Sequence, residues 1–304
     1  MTWLDRALDA SIAGSYGRGG FRRHARAFVD HPPRRLDGPV LVTGGTSGIG
    51  LAAVEGLTAA GVEVVLWGRD RARGAAVVAA GPRRTFTPVD LGDLEAVASA
   101  LASVEGPLGG LVLNAGGMPT ERTLSPQGHE GIWASQVLGH ALLLRRLVEA
   151  GALAPTARVV WVSSGGMYTQ ALDLSDLRRD RGYERHVTYA NAKRAQVMLS
   201  AAYAARWPAL WTSAMHPGWV DTAGLAAGMP WFRRLTLPML RDGAAGADTV
   251  VWLTLDPAPG PTGAFWFDRA RHPVHLLART RAGDHQLPAL LALVDAATEP
   301  WMNR

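Results

Sequence analysis

The stretch "TGGTSGIG", residues 43–50, decides the fold, because it joins an apolar run, "PVLV" at 39–42, to a helical pattern over 48–60. Gly44, Gly48 and Gly50 stand in the spacing G-x-x-x-G-x-G. Small residues at such a joint let the backbone turn sharply and approach a phosphate. The unpaired N–H groups and the dipole at a helix N-terminus then favour the anion's charge. Gly44, Thr46, Ser47, Gly48, Ile49 and Gly50 are therefore candidate contacts to a dinucleotide pyrophosphate. A glycine turn also occurs as a plain strand-to-helix joint, so the surrounding pattern has to decide.

Outward from the loop the pattern alternates. "VEVVLWG" (62–68) is followed by a helical stretch over 71–80, "RTFTPVD" (84–90) by one over 93–105, and "GGLVLNAGG" (109–117) by one over 126–150. "ARVVWVSSGG" (157–166) leads through a long loop to a helix over 187–206 and then to "ALWTSAMHPG" (209–218). Strands alternating with helices predict right-handed crossovers and an α/β fold, a doubly wound parallel sheet of the Rossmann type with helices on both faces. Residues 39–304 read as one such domain, and residues 1–38 as an N-terminal helical extension closed by a Pro-Pro turn. Ligands of these sheets bind beyond the carboxyl ends of the strands.

Composition narrows the function classes. The chain has 304 residues, 48% of them hydrophobic, enough for a substantial core. Its formal charge is 31 − 26 = +5, but the arginines are scattered rather than striped with aromatics, so nucleic acid is not an expected partner. The absence of cysteine removes disulfides, thiolate metal sites and a Cys nucleophile, and a cytoplasmic location is expected. Neither a secretory leader nor a spanning helix is expected. His140 and His216 lack acid or Cys partners at metal spacing, so packing roles and no metal are expected.

Two features point to the cofactor and the chemistry. At the tip of the second strand, "LWGRD", Gly68 occupies the place of the ribose-binding acid of NAD-preferring folds and Arg69 follows it. A guanidinium fork there suits a 2′-phosphate, which predicts NADP(H) over NAD(H). The competing reading leaves Arg69 solvated and gives the ribose to Asp70. Asp90 and Leu91, closing "PVDL", are placed to meet the adenine, although Asp90 is equally suited to a helix N-cap. The second feature is a lone lysine: of 31 lysines and arginines only Lys193 is lysine. It stands four residues after Tyr189, on the same helix face. An ammonium beside a phenol favours phenolate, and a compact amine has donors left for ribose hydroxyls, a task that a guanidinium would fill poorly.

"TGGTSGIG", "NAGG", "VSSGG", "YANAK" and "HPGWVDT", in this order, resemble the short-chain dehydrogenase/reductase superfamily over residues 39 to about 270. "YANAKRAQ", "SAMHPGWVDT", "GADTVVWL", "GAFWFDR" and the extension are similar to the subgroup typified by dehydrogenase/reductase family member 12. The resemblance implies that Asn114, Ala115 and Gly116 support the sheet and border the adenosine. It implies that Ser164, with Ser163 as fallback, binds the substrate oxygen, that Tyr189 is the acid/base and that Lys193 is its partner. Pro217, Gly218, Val220 and Thr222 match the loop that holds the nicotinamide carboxamide. Gln136 stands where the family has an Asn that helps hold a water linking the lysine to solvent. The implied activity is hydride transfer between NADP(H) and a carbonyl or alcohol; the alternative, motivated by Gln136, is a catalytically idle nucleotide-binding scaffold or redox sensor.

The segment "AGLAAGMPWFRRLTLPML" (223–240), with Met167, Tyr168 and Trp219, predicts an apolar pocket and a small-to-medium apolar substrate, with core packing as the competing role. The extension is expected to wrap its own domain, contact with acidic lipid headgroups being the alternative. A homo-oligomer is compatible with the fold.

Overall fold

Alternation along the central strands sends successive side chains to opposite faces, and both faces are covered. In the computed structural model, which describes residues 11–303, Val40, Val42, Val112, Val160 and Val162 enter one core, while Leu41, Leu111, Leu113, Val159 and Trp161 enter the other. The strands are β1 (Val40–Thr43), β2 (Val64–Gly68), β3 (Arg84–Pro88), β4 (Leu108–Leu113), β5 (Leu153–Val162), β6 (Trp211–Met215), β7 (Phe265–Phe267) and β8 (Ala270–Arg271). They form one sheet in the order β3-β2-β1-β4-β5-β6-β7-β8. Every pairing from β3 to β7 is parallel, as the sequence pattern predicts. β8 instead returns antiparallel on β7 through Asp268 and Arg269, whose φ values of 48° and 58° are those of a tight primed turn.

The helices, in chain order, are α1 (Ile12–Tyr16), α2 (Arg18–Ala25), α3 (Gly48–Ala59), α4 (Arg71–Ala79), α5 (Leu94–Ala100), α6 (Gly139–Glu149), α7 (Arg185–Arg206), α8 (Ala223–Gly228), α9 (Pro230–Thr236), α10 (Gly243–Leu255) and α11 (Leu287–Thr298). α3 and α10 cover one face of the sheet through Val54, Leu57, Val250 and Leu253. α5, α6, α7 and α11 cover the other. The helix expected over 126–150 starts later. Residues 124 to 130 reverse direction around Gly128 (φ 78°), Leu124 bridges Glu130, and the Glu130 carboxylate accepts the N–H groups of Ile132 (3.0 Å) and Trp133 (2.9 Å). A single helical turn, Gly131–Trp133, then passes through a π-turn, Ala134–Leu138, into α6.

The part of the expected extension over 1–10 lies outside the described residues. From residue 11 onward the extension packs on the sheet. Tyr16 is buried against His216 (ring centroids 4.6 Å apart) and Phe267 (5.1 Å). Further on, Arg34 donates to the carbonyls of Thr254 and Gly109, so the segment runs back along the domain to β1. Among the described residues no helix is long and apolar enough to cross a membrane.

Candidate active site

The glycine loop turns directly from β1 into α3. Gly44 has φ 68°, and a Cβ on Gly50 would lie 2.2 Å from the Gly44 carbonyl oxygen and 2.4 Å from Asn114 Nδ2. Ser47 occupies the N-cap of α3 without a side-chain capping bond, which leaves first-turn N–H groups for an anion. Asn114 stitches the ends of β4 and β1 together: its Nδ2 donates to the carbonyls of Thr43 (3.0 Å) and Gly44 (3.3 Å). The Asn114 and Ala115 amides donate to Thr43 Oγ1. Gly116 is glycine because a Cβ there would meet Gln136 Cδ at 2.9 Å.

At the tip of β2, Arg69 is 78% exposed and reaches only the edge of Asp90, at 4.0 Å. Asp70 caps α4 by accepting from Arg73 N (3.0 Å), so one of its oxygens is already engaged. Asp90 accepts from Gly92 N (2.9 Å), and the N-cap of α5 is Asp93. Leu91 is buried, and its carbonyl closely approaches Gly139.

Ser163 and Ser164 follow β5 and part ways. The Ser163 hydroxyl is buried and donates to the Lys193 carbonyl (2.9 Å), a structural bond between strand and helix. Ser164 accepts from Gly166 N (3.1 Å), and its hydroxyl and the Tyr189 ring both border Gly166. Tyr189 lies near the start of α7, and Lys193 one turn later places its Nζ 5.4 Å from the centre of the Tyr189 ring. Lys193 is 3% exposed, and its amine donates to the Val162 carbonyl (2.9 Å) and to Gln196 Oε1 (3.0 Å). Burial lowers its pKa to about 7. For Tyr189 the spacing predicts a lowered pKa, yet burial outweighs the lowering effect of the nearby Ser164 hydroxyl and holds the phenol above its ordinary value.

Gln136 does not reproduce the geometry expected of an Asn beside the lysine. Its side chain turns under the Gly116–Gly117 backbone and donates to the Gly117 carbonyl (2.7 Å), and its buried Oε1 has no partner. The longer side chain thus serves the loop after β4, and only its backbone carbonyl faces α7, where Gln196 Nε2 donates to it (2.7 Å). His140 is buried between Thr43 Oγ1 (3.0 Å) and the Gln136 carbonyl (3.2 Å), and burial holds its pKa near 3. His216 stacks on Phe267, centroids 4.1 Å apart.

The loop after β6 has Gly218 at φ 75°, where a Cβ would meet the Arg241 guanidinium and the Tyr16 carbonyl at 2.6 Å. Pro217 and Val220 are buried, and Val220 bridges Arg241. Thr222 caps α8 through Leu225 N (3.1 Å) and lies against Gly48, which brings the two loops together. Met167 and Tyr168, expected at an apolar pocket, are core residues instead. The Tyr168 hydroxyl donates to the Pro273 carbonyl (2.6 Å), and the compact helical turn Gly165–Thr169 folds both side chains inward. Trp219 remains partly accessible and packs edge-on against Phe232 of α9.

The carboxyl ends of β1, β4, β5 and β6 therefore gather the glycine loop, Asn114, Ser164, Tyr189, Lys193 and Gly218 along one edge of the sheet. The family model for short chain dehydrogenases matches residues 39–229. The chain belongs to the short-chain dehydrogenase family. This short-chain dehydrogenase is 36% identical to bovine (Bos taurus) dehydrogenase/reductase SDR family member 12 over 97% of its own length and 98% of the relative's. It is 31% identical to human (Homo sapiens) polyprenol dehydrogenase over 62% of its length and 63% of the relative's. A solved structure of an uncharacterised protein from Mycobacterium paratuberculosis superposes with a TM-score of 0.69 at 24% identity, covering 88% of this chain and 95% of that one. That likeness speaks to the fold alone. The dehydrogenase is accordingly an NAD(P)-dependent oxidoreductase.

Two contributors to the site gave little signal in the sequence. Gln196 lies on the Tyr189–Lys193 face, seven residues after the tyrosine, and that spacing was the only clue. Tyr16 sits far away in the chain, and no local pattern brings it to His216.

Proposed function

We propose that the dehydrogenase interconverts a carbonyl and an alcohol with NADP(H), Tyr189 exchanging the proton, Ser164 holding the substrate oxygen and Lys193 supporting Tyr189 and the nicotinamide ribose. The observation that carries this reading is the Lys193 amine 5.4 Å from the centre of the Tyr189 ring, with Ser164 and Tyr189 both bordering Gly166, at the end of the sheet where the glycine loop opens. Bound NADP(H) would supply or accept the hydride. The glycine cradle and the open N-terminus of α3 fit a pyrophosphate, and Pro217, Gly218, Val220 and Thr222, on the loop that meets Gly48 through Thr222, would hold the carboxamide. Burial holds the phenol of the partly buried Tyr189 above its ordinary value, so it stays protonated and able to donate at neutral pH.

The preference for NADP(H) rests on Arg69, which is open to solvent, and on Asp70, whose carboxylate is committed to capping α4. Arg69→Ala removes charge-assisted bonds to a 2′-phosphate and is expected to weaken NADPH binding by about 10- to 100-fold. NADH binding is expected to hold. Titration of both nucleotides by fluorescence checks this, and an unchanged NADPH affinity would sink the preference.

The substrate is proposed to be apolar. Trp219 and Phe232 face each other where α9 overlies the loop after β6, and the polyprenol dehydrogenase relative is named for a long apolar alcohol. NADPH consumption with a panel of aliphatic and aromatic aldehydes and ketones tests the reading. Turnover rising with substrate apolarity is expected, and cofactor binding without turnover on any member would count against it.

A further inference from the structure

The geometry points to Gln196 as a positioning residue: its amide clamps the Lys193 amine to the backbone carbonyl of Gln136 and so sets the position and proton affinity of that amine. This rests on the reading of Lys193 as the partner of Tyr189. Gln196 is fully buried, and both ends of its side chain are occupied. Which end faces the lysine follows from chemistry. A backbone carbonyl can only accept, so the amide nitrogen must turn to Gln136 O (2.7 Å), and the amide oxygen is left for Lys193 Nζ (3.0 Å).

The family pattern has a water carry the lysine's contact from this helix toward solvent. Here the Lys193 amine also reaches a side chain of the protein, and that contact leads inward. Gln196 Nε2 also lies 3.4 Å from His140 Nδ1, and His140 Nε2 lies 3.0 Å from Thr43 Oγ1, in the core beneath the glycine loop.

The groups facing the amine are few. α7 contributes Tyr189 and Gln196, the end of β5 contributes the Val162 carbonyl, and α6 contributes His140, which burial and the neighbouring lysine keep neutral. Among the described residues no carboxylate is paired with Lys193, and the fall of its pKa to about 7 comes from burial. In such a place a single acceptor carries weight: removing it leaves the ammonium with one protein acceptor, and replacing it by a carboxylate supplies a counter-charge.

The test exploits the composition, because Lys193 is the only lysine in the chain. Full-length protein labelled with [13Cε]lysine gives one lysine resonance, whose pH titration reads the Lys193 amine directly, without cofactor or substrate. The wild type is expected to titrate near 7. In Gln196→Leu the midpoint is expected to fall by about one unit or more, a tenfold loss of proton affinity, and in the isosteric Gln196→Glu to rise by a similar amount. Gln196→Asn, which is too short to hold both partners, is expected to fall between the wild type and Leu. Should Gln196→Leu not fold, Gln196→Glu and Gln196→Asn decide. One common midpoint in the wild type and every folded variant overturns the proposal. The resonance reports on the amine whether or not anything is turned over, so failure of the clamp is distinguishable from failure of the catalytic reading.

Discussion

Tyr189→Phe is expected to lower kcat by about 10²- to 10⁴-fold while NADPH still binds, the magnitude of a lost general acid. The substitution keeps the ring that lies beside the Lys193 amine and removes only the hydroxyl. A defect confined to chemistry is therefore expected, with kcat falling and cofactor affinity, read by fluorescence, holding. The direction of the pKa shift adds a pH signature. Burial raises the phenol above its ordinary value, so the protonated form persists through neutral pH and reduction should decline only on the alkaline side. Alcohol oxidation needs the phenolate and should climb as pH rises toward that value. Ser164→Ala removes the hydroxyl whose lowering effect opposes the upward shift, so the oxidation profile should move further to alkaline pH. Normal turnover by the Phe variant would remove Tyr189 from the mechanism.

What could be read from the sequence divides along physical lines. The short apolar runs in "PVLV" and "ARVVWV" are local properties, and they became β1 and β5, with Val40, Val42, Val160 and Val162 on one face and Leu41, Val159 and Trp161 on the other. The glycine loop was legible because only a residue without Cβ fits where Gly50 meets Gly44 and Asn114. Tyr189 and Lys193 were legible because helix geometry puts residues four apart on one face. Other features depend on contacts between distant segments. Periodicity suggested a helix from 126, but the Glu130 carboxylate caps a start at 131, and no hydrophobic pattern reports a cap. Met167 and Tyr168 look like pocket residues after a strand, yet their burial is settled by the turn at 165–169 and by His272 and Pro273, about a hundred residues on. The antiparallel β8 was hidden because its two-residue turn uses Asp268 and Arg269 where glycine or asparagine is usual.

That turn also governs the second large effect. Arg241→Leu is expected to destabilise the protein by about 3–5 kcal/mol, because it leaves a buried carboxylate without its guanidinium. The Arg241 side chain is 0% exposed and that of Asp268 is 4% exposed, and they form a two-pronged pair, with the Arg241 Nη2 to Asp268 Oδ2 bond at 2.8 Å. Arg241 also donates to the carbonyls of Tyr16 (2.8 Å) and Ser15 (3.1 Å), and His24 contacts Asp268 from α2 (2.6 Å). One cation thus ties together the β7–β8 turn, the loop after β6 and the N-terminal extension. Loss of the pair should therefore loosen a specific segment as well as lower the total stability. In urea unfolding the midpoint should fall, and trypsin should cut at the exposed Arg18, Arg22 and Arg26 before the rest of the domain. Adding Asp268→Asn to Arg241→Leu removes the unpaired charge while keeping a residue that tolerates the positive φ of the turn, so part of the lost stability should return. If the single variant unfolded within about 1 kcal/mol of the wild type, the pair would be no more than a surface-grade contact, and the extension would owe its place to the packing of Tyr16 on His216 and Phe267 instead.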